Sequence, residues 1–149
     1  MKIYIKTDCA YIQPAKSELL KRHFSCDGYA IGYLQNGKPI IVCGQEQSGN
    51  ISIAHTDKTL IMAFSDKPVG IDIERLQRKI SSKIGVSIEE WTKREAYGKW
   101  LGVGINKEIL TAPLPNGMIN TFYYGDYVVS VCSEERADEQ TLIDNMIDA

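Results

Sequence analysis

The hydrophobic and polar positions of the chain follow a period of two in several short segments, which is the pattern of β-strands. The first such segment is Met1–Lys6. Later apolar segments come in pairs joined by turn residues such as Asn-Gly, which predicts antiparallel hairpins. The predicted pairs are Tyr29–Leu34 with Ile40–Val42, Ile51–Ala54 with Leu60–Phe64, and Thr121–Tyr124 with Tyr127–Cys132.

Two segments have helical spacing instead. The first is Pro14–Phe24, where proline lies near the start and leucine and phenylalanine recur on one face. The second begins at Ser87, because Ser87 followed three residues later by Glu90 is a capping box, and it continues through Trp100. Gly98 lies inside this helix at a cost of about 1 kcal/mol relative to alanine. We therefore expect another backbone, or a bound group, to approach Gly98 closely.

The remaining segments are predicted to be connections. Gln45–Gly49 is a polar loop, Arg75–Gly85 is a basic surface connection without a clear period, and Thr111–Asn120 is a loop rich in proline and glycine. The acidic tail after Glu134 has a weak helical stripe, formed by Leu142, Ile143, Met146 and Ile147.

Composition and charge exclude several classes of protein. The chain has 149 residues, 44% hydrophobic and 24% charged, which fits one globular domain. The net charge of −2, without a basic stripe, argues against general nucleic-acid binding. No apolar run reaches transmembrane length, and the start does not resemble a signal peptide. The four cysteines are scattered, which argues against a zinc site and fits a reducing cytoplasm. We therefore expect a cytoplasmic protein with no membrane contact.

Candidate chemistry centres on the strand Val69–Glu74. Asp72 and Glu74 share one face of this strand, where they repel each other unless a counter-charge lies nearby. A divalent cation such as Mg²⁺ or Mn²⁺ would remove that conflict. The alternative is an ordinary edge strand with a solvated acidic face. On the second helix, Glu95 and Lys99 stack on one face, and there the alternative is a surface ion pair.

Four motifs containing these residues follow one another along the chain: Gly37-Lys38-Pro39, Ile53–Thr56, Gly70–Glu74 and Trp91–Lys99. In this order they resemble the 4'-phosphopantetheinyl transferases of the surfactin-synthetase type. These enzymes move the phosphopantetheine arm of coenzyme A onto a serine of an acyl or peptidyl carrier protein. The resemblance runs from about residue 28 to 105 and resumes at 126–132.

The resemblance implies an α+β fold of the 4'-phosphopantetheinyl transferase type. In that fold two similar halves each have an antiparallel sheet and a packed helix. Residues 1–149 would form one compact domain, with pseudo-halves at about 1–75 and 76–149. The implied partners are coenzyme A as substrate and an acyl or peptidyl carrier protein.

The resemblance also implies the role of each site residue. Asp72, Glu74 and Glu95 correspond to the Mg²⁺ ligands, and Glu95 would accept the serine proton, directly or through a metal-bound water. Lys99 would neutralise the diphosphate and the leaving 3',5'-ADP. The implied coenzyme A contacts are Lys38, His55, Arg94, Lys99 and an early basic residue of the first helix, either Arg22 or Lys21.

Three departures from the family pattern leave alternatives open. Ala54 replaces the usual serine before the histidine, Arg94 replaces the usual lysine before the glutamate, and the connection from Glu74 to Trp91 is short. A non-catalytic protein that binds coenzyme A or a carrier protein is therefore the main alternative. A metal-dependent phosphodiesterase built on the three carboxylates is a further one. The basic set Arg75, Arg78, Lys79 and Lys83 is a candidate docking face for a carrier protein.

Overall fold

Two β-sheets and three helices make up the part of the chain that the computed structural model describes, which is residues 1–80, 82–135 and 146–148. The larger sheet has six strands. Its neighbouring strands are antiparallel, except that the first and last strands of the chain pair with each other in parallel. Its spatial order is β2 (Tyr29–Tyr33), β3 (Pro39–Cys43), β4 (Glu46–Thr56), β5 (Thr59–Ser65), β1 (Lys2–Lys6) and β9 (Met146–Asp148).

The smaller sheet is antiparallel and has three strands. Its order is β6 (Val69–Arg75), β8 (Tyr127–Ser133) and β7 (Ile119–Tyr124). Helix α1 (Ile12–Phe24) packs on the larger sheet, whereas α2 (Ile88–Leu101) packs on β6 and β8. A short helix, α3 (Lys107–Thr111), follows α2. The chain is therefore α+β, as the sequence predicts.

Two hydrophobic clusters hold these layers together. One lies between the sheets and joins Ile3, Ile5 and Ile61 of the larger sheet to Ile71, Ile73 and Phe122 of the smaller one. The other lies between α1 and the opposite face of the larger sheet, where Leu19 contacts the layer formed by Leu60 and Met62. The centre of the larger sheet is thus buried on both faces, which explains why every residue of β5 is buried.

The local signals of α2 are confirmed. The Ser87 side chain accepts a hydrogen bond from the Glu90 N–H at 3.1 Å, and Gly102 ends the helix with a φ of 79°. A Cβ built on Gly98 would lie 2.3 Å from the carbonyl oxygen of Gly104. The close approach predicted at Gly98 is therefore to the protein's own backbone.

Some predicted boundaries are wrong. Most of the predicted loop Gln45–Gly49 belongs to β4, because pairing with β3 extends this strand across a register shift. The predicted loop from Thr111 begins inside α3, which starts at an Asn106 cap. The helical stripe of the tail is contradicted at Met146 and Ile147, which lie in a strand paired with β1. Leu142 and Ile143 lie outside the described residues.

The strand that carries the acidic pair belongs to the smaller sheet. Although the sequence analysis counts residues 69–75 with the first half, β6 is hydrogen-bonded to β8 over its whole length. In the described ranges, no helix combines the length and apolar character needed to cross a membrane.

Candidate functional site

The acidic face of β6 is turned toward helix α2. Ile71 and Ile73 point into the core between the sheets, so the alternation of the strand places Gly70, Asp72 and Glu74 on the opposite face. A Cβ on Gly70 would lie 2.0 Å from the Ala96 carbonyl oxygen, which shows how closely the helix crosses the strand. This close crossing brings the side chains of α2 next to the two carboxylates.

Asp72 is 5% exposed and only half satisfied. Its Oδ1 accepts a hydrogen bond from Lys99 Nζ at 3.1 Å, and Lys99 Nζ also donates to the Ile71 carbonyl at 3.1 Å. Its Oδ2 is buried without a hydrogen-bond partner among the described residues. Burial raises the pKa of Asp72 to about 7; the charges of Glu95 and Glu74 also raise this pKa, and Lys99 lowers it. Lys99 therefore satisfies only one of the two carboxylate oxygens of this buried group.

Glu74 is 7% exposed and carries a counter-ion of its own. Its Oε1 accepts a hydrogen bond from Arg78 Nη1, and its Oε2 accepts one from Thr56 Oγ1 at 3.4 Å. Burial is the main cause that raises the pKa of Glu74; Arg78 lowers this pKa and the charge of Glu95 raises it.

Glu95 completes the acidic group from the helix side. Its negative charge raises the pKa of both Asp72 and Glu74, so the three carboxylates lie within electrostatic range of one another. Glu95 itself has no hydrogen bond or ion pair to the residues that the structure describes. The acidic site, defined as Asp72, Glu74, Glu95 and Lys99, thus combines residues of one strand and one helix.

The donor set of this site suits a hard divalent cation. Carboxylate oxygens are the ligands that Mg²⁺ prefers, and the unpartnered Oδ2 of Asp72 is an available ligand atom. The described residues do not, however, include three acidic, histidine or cysteine side chains already drawn together as a metal-binding group. Binding would therefore require the carboxylates to converge.

A cavity of about 270 Å³ lies beside the acidic site. Lys99 lines both the cavity and the site, and Lys38 lines the cavity from the first hairpin. Lys38 Nζ donates to the Trp100 carbonyl at 2.8 Å, at the C-terminal end of α2. Burial lowers the pKa of Lys38. The other cavity walls come from β4 and from residues 102–104.

Three of the expected coenzyme A contacts lie elsewhere. His55 is exposed on β4, next to Ala54, which is buried between the two sheets. Arg22 lies on α1, with its guanidinium 6.0 Å from the centre of the Tyr4 ring. Arg94 turns toward α3.

The guanidinium of Arg94 is occupied by the protein. Its Nη1 donates to the carbonyls of Ile109 at 2.7 Å and Ala112 at 2.8 Å, and its Nη2 pairs with Glu90 at 2.8 Å. These contacts hold α3 and its C-cap against α2. Arg78 is the arginine that contacts the acidic site. From the sequence alone, Arg78 is only part of a candidate docking face. Its only sequence signal is a basic residue four positions after Glu74.

Comparison with known proteins leaves the family open. No family model matches the chain, and no curated protein matches it.

Proposed function

We propose that this protein transfers the 4'-phosphopantetheine arm of coenzyme A to a serine of an acyl or peptidyl carrier protein, in a reaction that depends on Mg²⁺. The observation that carries the proposal is that Asp72, Glu74 and Glu95 lie within electrostatic range of one another, beside Lys99 and a cavity that Lys38 lines. We also propose that the fold is of the phosphopantetheinyl transferase type. In its support, each of the two sheets packs one long helix.

In this proposal Asp72, Glu74 and Glu95 hold Mg²⁺, which when bound supplies positive charge for the diphosphate oxygens. The residues of the chain supply the rest. Lys99 adds a fixed positive charge where the phosphate of the leaving 3',5'-ADP develops negative charge. Lys38 has one donor on the Trp100 carbonyl and can direct its remaining N–H groups at a phosphate in the cavity.

Glu95 is the proposed proton acceptor. The serine oxygen attacks the β-phosphorus, the bond from that phosphorus to 3',5'-ADP breaks, and the serine proton moves to the Glu95 carboxylate. Among the three carboxylates Glu95 suits this role, because it has no hydrogen bond or ion pair to the described residues, whereas Asp72 is bound to Lys99.

The test is incubation of the full chain with coenzyme A, Mg²⁺ and apo carrier proteins, followed by intact mass measurement of the carrier protein. The expected result is a gain of one phosphopantetheine arm that disappears with Glu95→Gln. A matched control is Glu89→Gln, on the same helix, because Glu89 interacts with Tyr123 instead of the acidic site. No gain on any carrier protein would contradict the proposal.

A second candidate function is binding of coenzyme A or a carrier protein without transfer. One observation favours it: both carboxylates of β6 already have a cation of the protein, Lys99 on Asp72 and Arg78 on Glu74. Calorimetry with coenzyme A separates the two functions. Binding of coenzyme A without any mass gain on the carrier protein supports the non-catalytic function.

A further inference from the structure

We propose that Arg78 is the displaceable counter-ion of the acidic site: it neutralises Glu74 while no divalent cation is bound and must leave when one binds. This inference rests on the metal site of the proposed function. It also makes Arg78, instead of Arg94, the guanidinium that serves the site.

The position of Arg78 supports this role. The Glu74 side chain is 9% exposed and that of Arg78 is 47% exposed, so the guanidinium covers the carboxylate on its solvent side. The same guanidinium lies 5.8 Å from the centre of the Trp91 ring. Trp91 belongs to the first turn of α2, one turn before Glu95. A cation approaching Glu74 from solvent therefore meets Arg78 first.

The charges of the site point the same way. Asp72, Glu74 and Glu95 carry a formal charge of −3, and Lys99 and Arg78 reduce it to −1. Without Arg78 the charge is −2, which matches a divalent cation. The unpartnered Oδ2 of Asp72 is a second, independent sign that the site is short of a cation.

Arg94 cannot exchange partners in this way without breaking other structure. Its guanidinium holds two backbone carbonyls and the Glu90 carboxylate, and its side chain is 13% exposed. Among the described residues, the Arg78 side chain has only the pair with Glu74 and the contact with the Trp91 ring to give up. Because its guanidinium is about half exposed to water, a divalent cation can compete with this pair.

The test is calorimetric titration of the full chain with Mg²⁺, in the absence of coenzyme A. Arg78→Gln should bind Mg²⁺ about fivefold more tightly than the unaltered protein, because the competing cation is removed. Arg75→Gln is the matched control. Arg75 forms an ion pair with Asp57 and packs over the Tyr127 ring, so its loss should leave the Mg²⁺ affinity unchanged. Equal or weaker binding by Arg78→Gln, or no Mg²⁺ binding by either protein, overturns the inference.

Tryptophan fluorescence gives a second measurement that does not depend on activity. In a Trp100→Phe background the emission reports on Trp91 alone, since the chain has two tryptophans. Mg²⁺ should change this emission by moving Arg78 off the ring, and Arg78→Gln should abolish the change. An emission change that persists in Arg78→Gln contradicts the inference. Active transfer together with an unchanged Mg²⁺ affinity of Arg78→Gln would defeat this inference alone and leave the proposed function standing.

Discussion

At the scale of single residues, the three carboxylates of the acidic site differ in what the protein does with them. Asp72 is held by Lys99 and Glu74 by Arg78, whereas Glu95 is half-buried with no polar partner among the described residues. The charge of Glu95 raises the pKa of both Asp72 and Glu74, so the three carboxylates lie within range of one another. The residue without a partner is the one best able to take up a proton or a cation.

Glu95→Gln tests both the proposed catalytic role of this carboxylate and its repulsion of Asp72 and Glu74. We expect the rate of the proposed transfer to fall at least about 100-fold, because the proposed proton acceptor and one proposed Mg²⁺ ligand are lost. The unfolding free energy at pH 7 should rise, because a repelling charge is removed from beside Asp72 and Glu74. Intact mass and urea denaturation measure the two quantities, with Glu89→Gln as the control. A variant that is both inactive and less stable would indicate a structural role instead.

His23 provides a prediction about pH. It lies 3.1 Å from the Tyr4 hydroxyl and stacks on Phe64, and burial, followed by the charge of Lys2, lowers its pKa from 6.5. The unfolded chain therefore binds a proton at His23 before the folded protein does as the pH falls. The contribution of a neutral His23 to stability is thus present above pH 6.5 and is lost as the pH falls through the folded pKa.

His23→Gln tests this sign, because glutamine can hydrogen-bond to Tyr4 but does not titrate. The stability of the unaltered protein relative to His23→Gln should decline between about pH 7.5 and pH 5. Urea denaturation at a series of pH values measures it. If the stability advantage of the unaltered protein over His23→Gln instead grows as the pH falls, a buried neutral imidazole at His23 is contradicted.

At the scale of elements, local signals were sufficient to predict most strands and helices and the shared face of Asp72 and Glu74. The Ser87 cap, the Asn-Gly hairpin and the alternation of β6 depend on neighbours within a few residues, so the sequence predicts them. What it could not predict depends on contacts between distant segments. Arg94 turns to carbonyls that α3 brings within reach, and Met146–Asp148 becomes a strand because β1 offers an edge.

Position 54 illustrates the same limit. By the proposed resemblance to phosphopantetheinyl transferases, Ala54 stands where those enzymes have a serine. In the structure the Ala54 side chain belongs to the cluster between the two sheets. A serine at this position would place a hydroxyl in that core, at a cost of about 1–3 kcal/mol if unpaired. The departure therefore concerns packing at least as much as ligand contact.

The crossing of α2 over β6 gives a prediction for an element. Gly70→Ala should lower the unfolding free energy by at least about 2 kcal/mol, because the new methyl group would lie 2.0 Å from a backbone carbonyl oxygen and 2.6 Å from the Trp100 nitrogen. Gly28→Ala is the control, since a Cβ there has no atom within 4 Å, and its effect should stay within about 0.5 kcal/mol. Urea denaturation compares the two, and equal effects would show that helix and strand are less tightly packed.

At the scale of the whole molecule, the candidate site depends on both sheets. The cavity is closed by the first hairpin and β4 on one side and by the end of α2 on the other. Lys38 spans the two layers through its hydrogen bond to the Trp100 carbonyl, and Thr56 of the larger sheet reaches Glu74 of the smaller one. The geometry of the site is thus linked to the packing of the sheets against each other.

This linkage predicts that the two sheets unfold together. Ile5→Ala removes a fully buried side chain from the larger sheet within the shared core, so we expect a loss of about 2–5 kcal/mol. Both tryptophans, Trp91 and Trp100, lie on α2, which packs on the smaller sheet. Their fluorescence should nevertheless report the same shifted urea midpoint as far-ultraviolet circular dichroism.

Tyr33→Ala supplies the comparison, because Tyr33 is 60% exposed and its loss should move neither midpoint. If Ile5→Ala shifts the circular dichroism transition and leaves the tryptophan transition in place, the sheets fold as separate units. The cavity between them would then open independently of the acidic site. Coincident shifts instead mean that the core between the sheets stabilises the cavity and the acidic site as one cooperative unit. Reduced transfer in Ile5→Ala, under conditions where it remains folded, would measure that coupling directly.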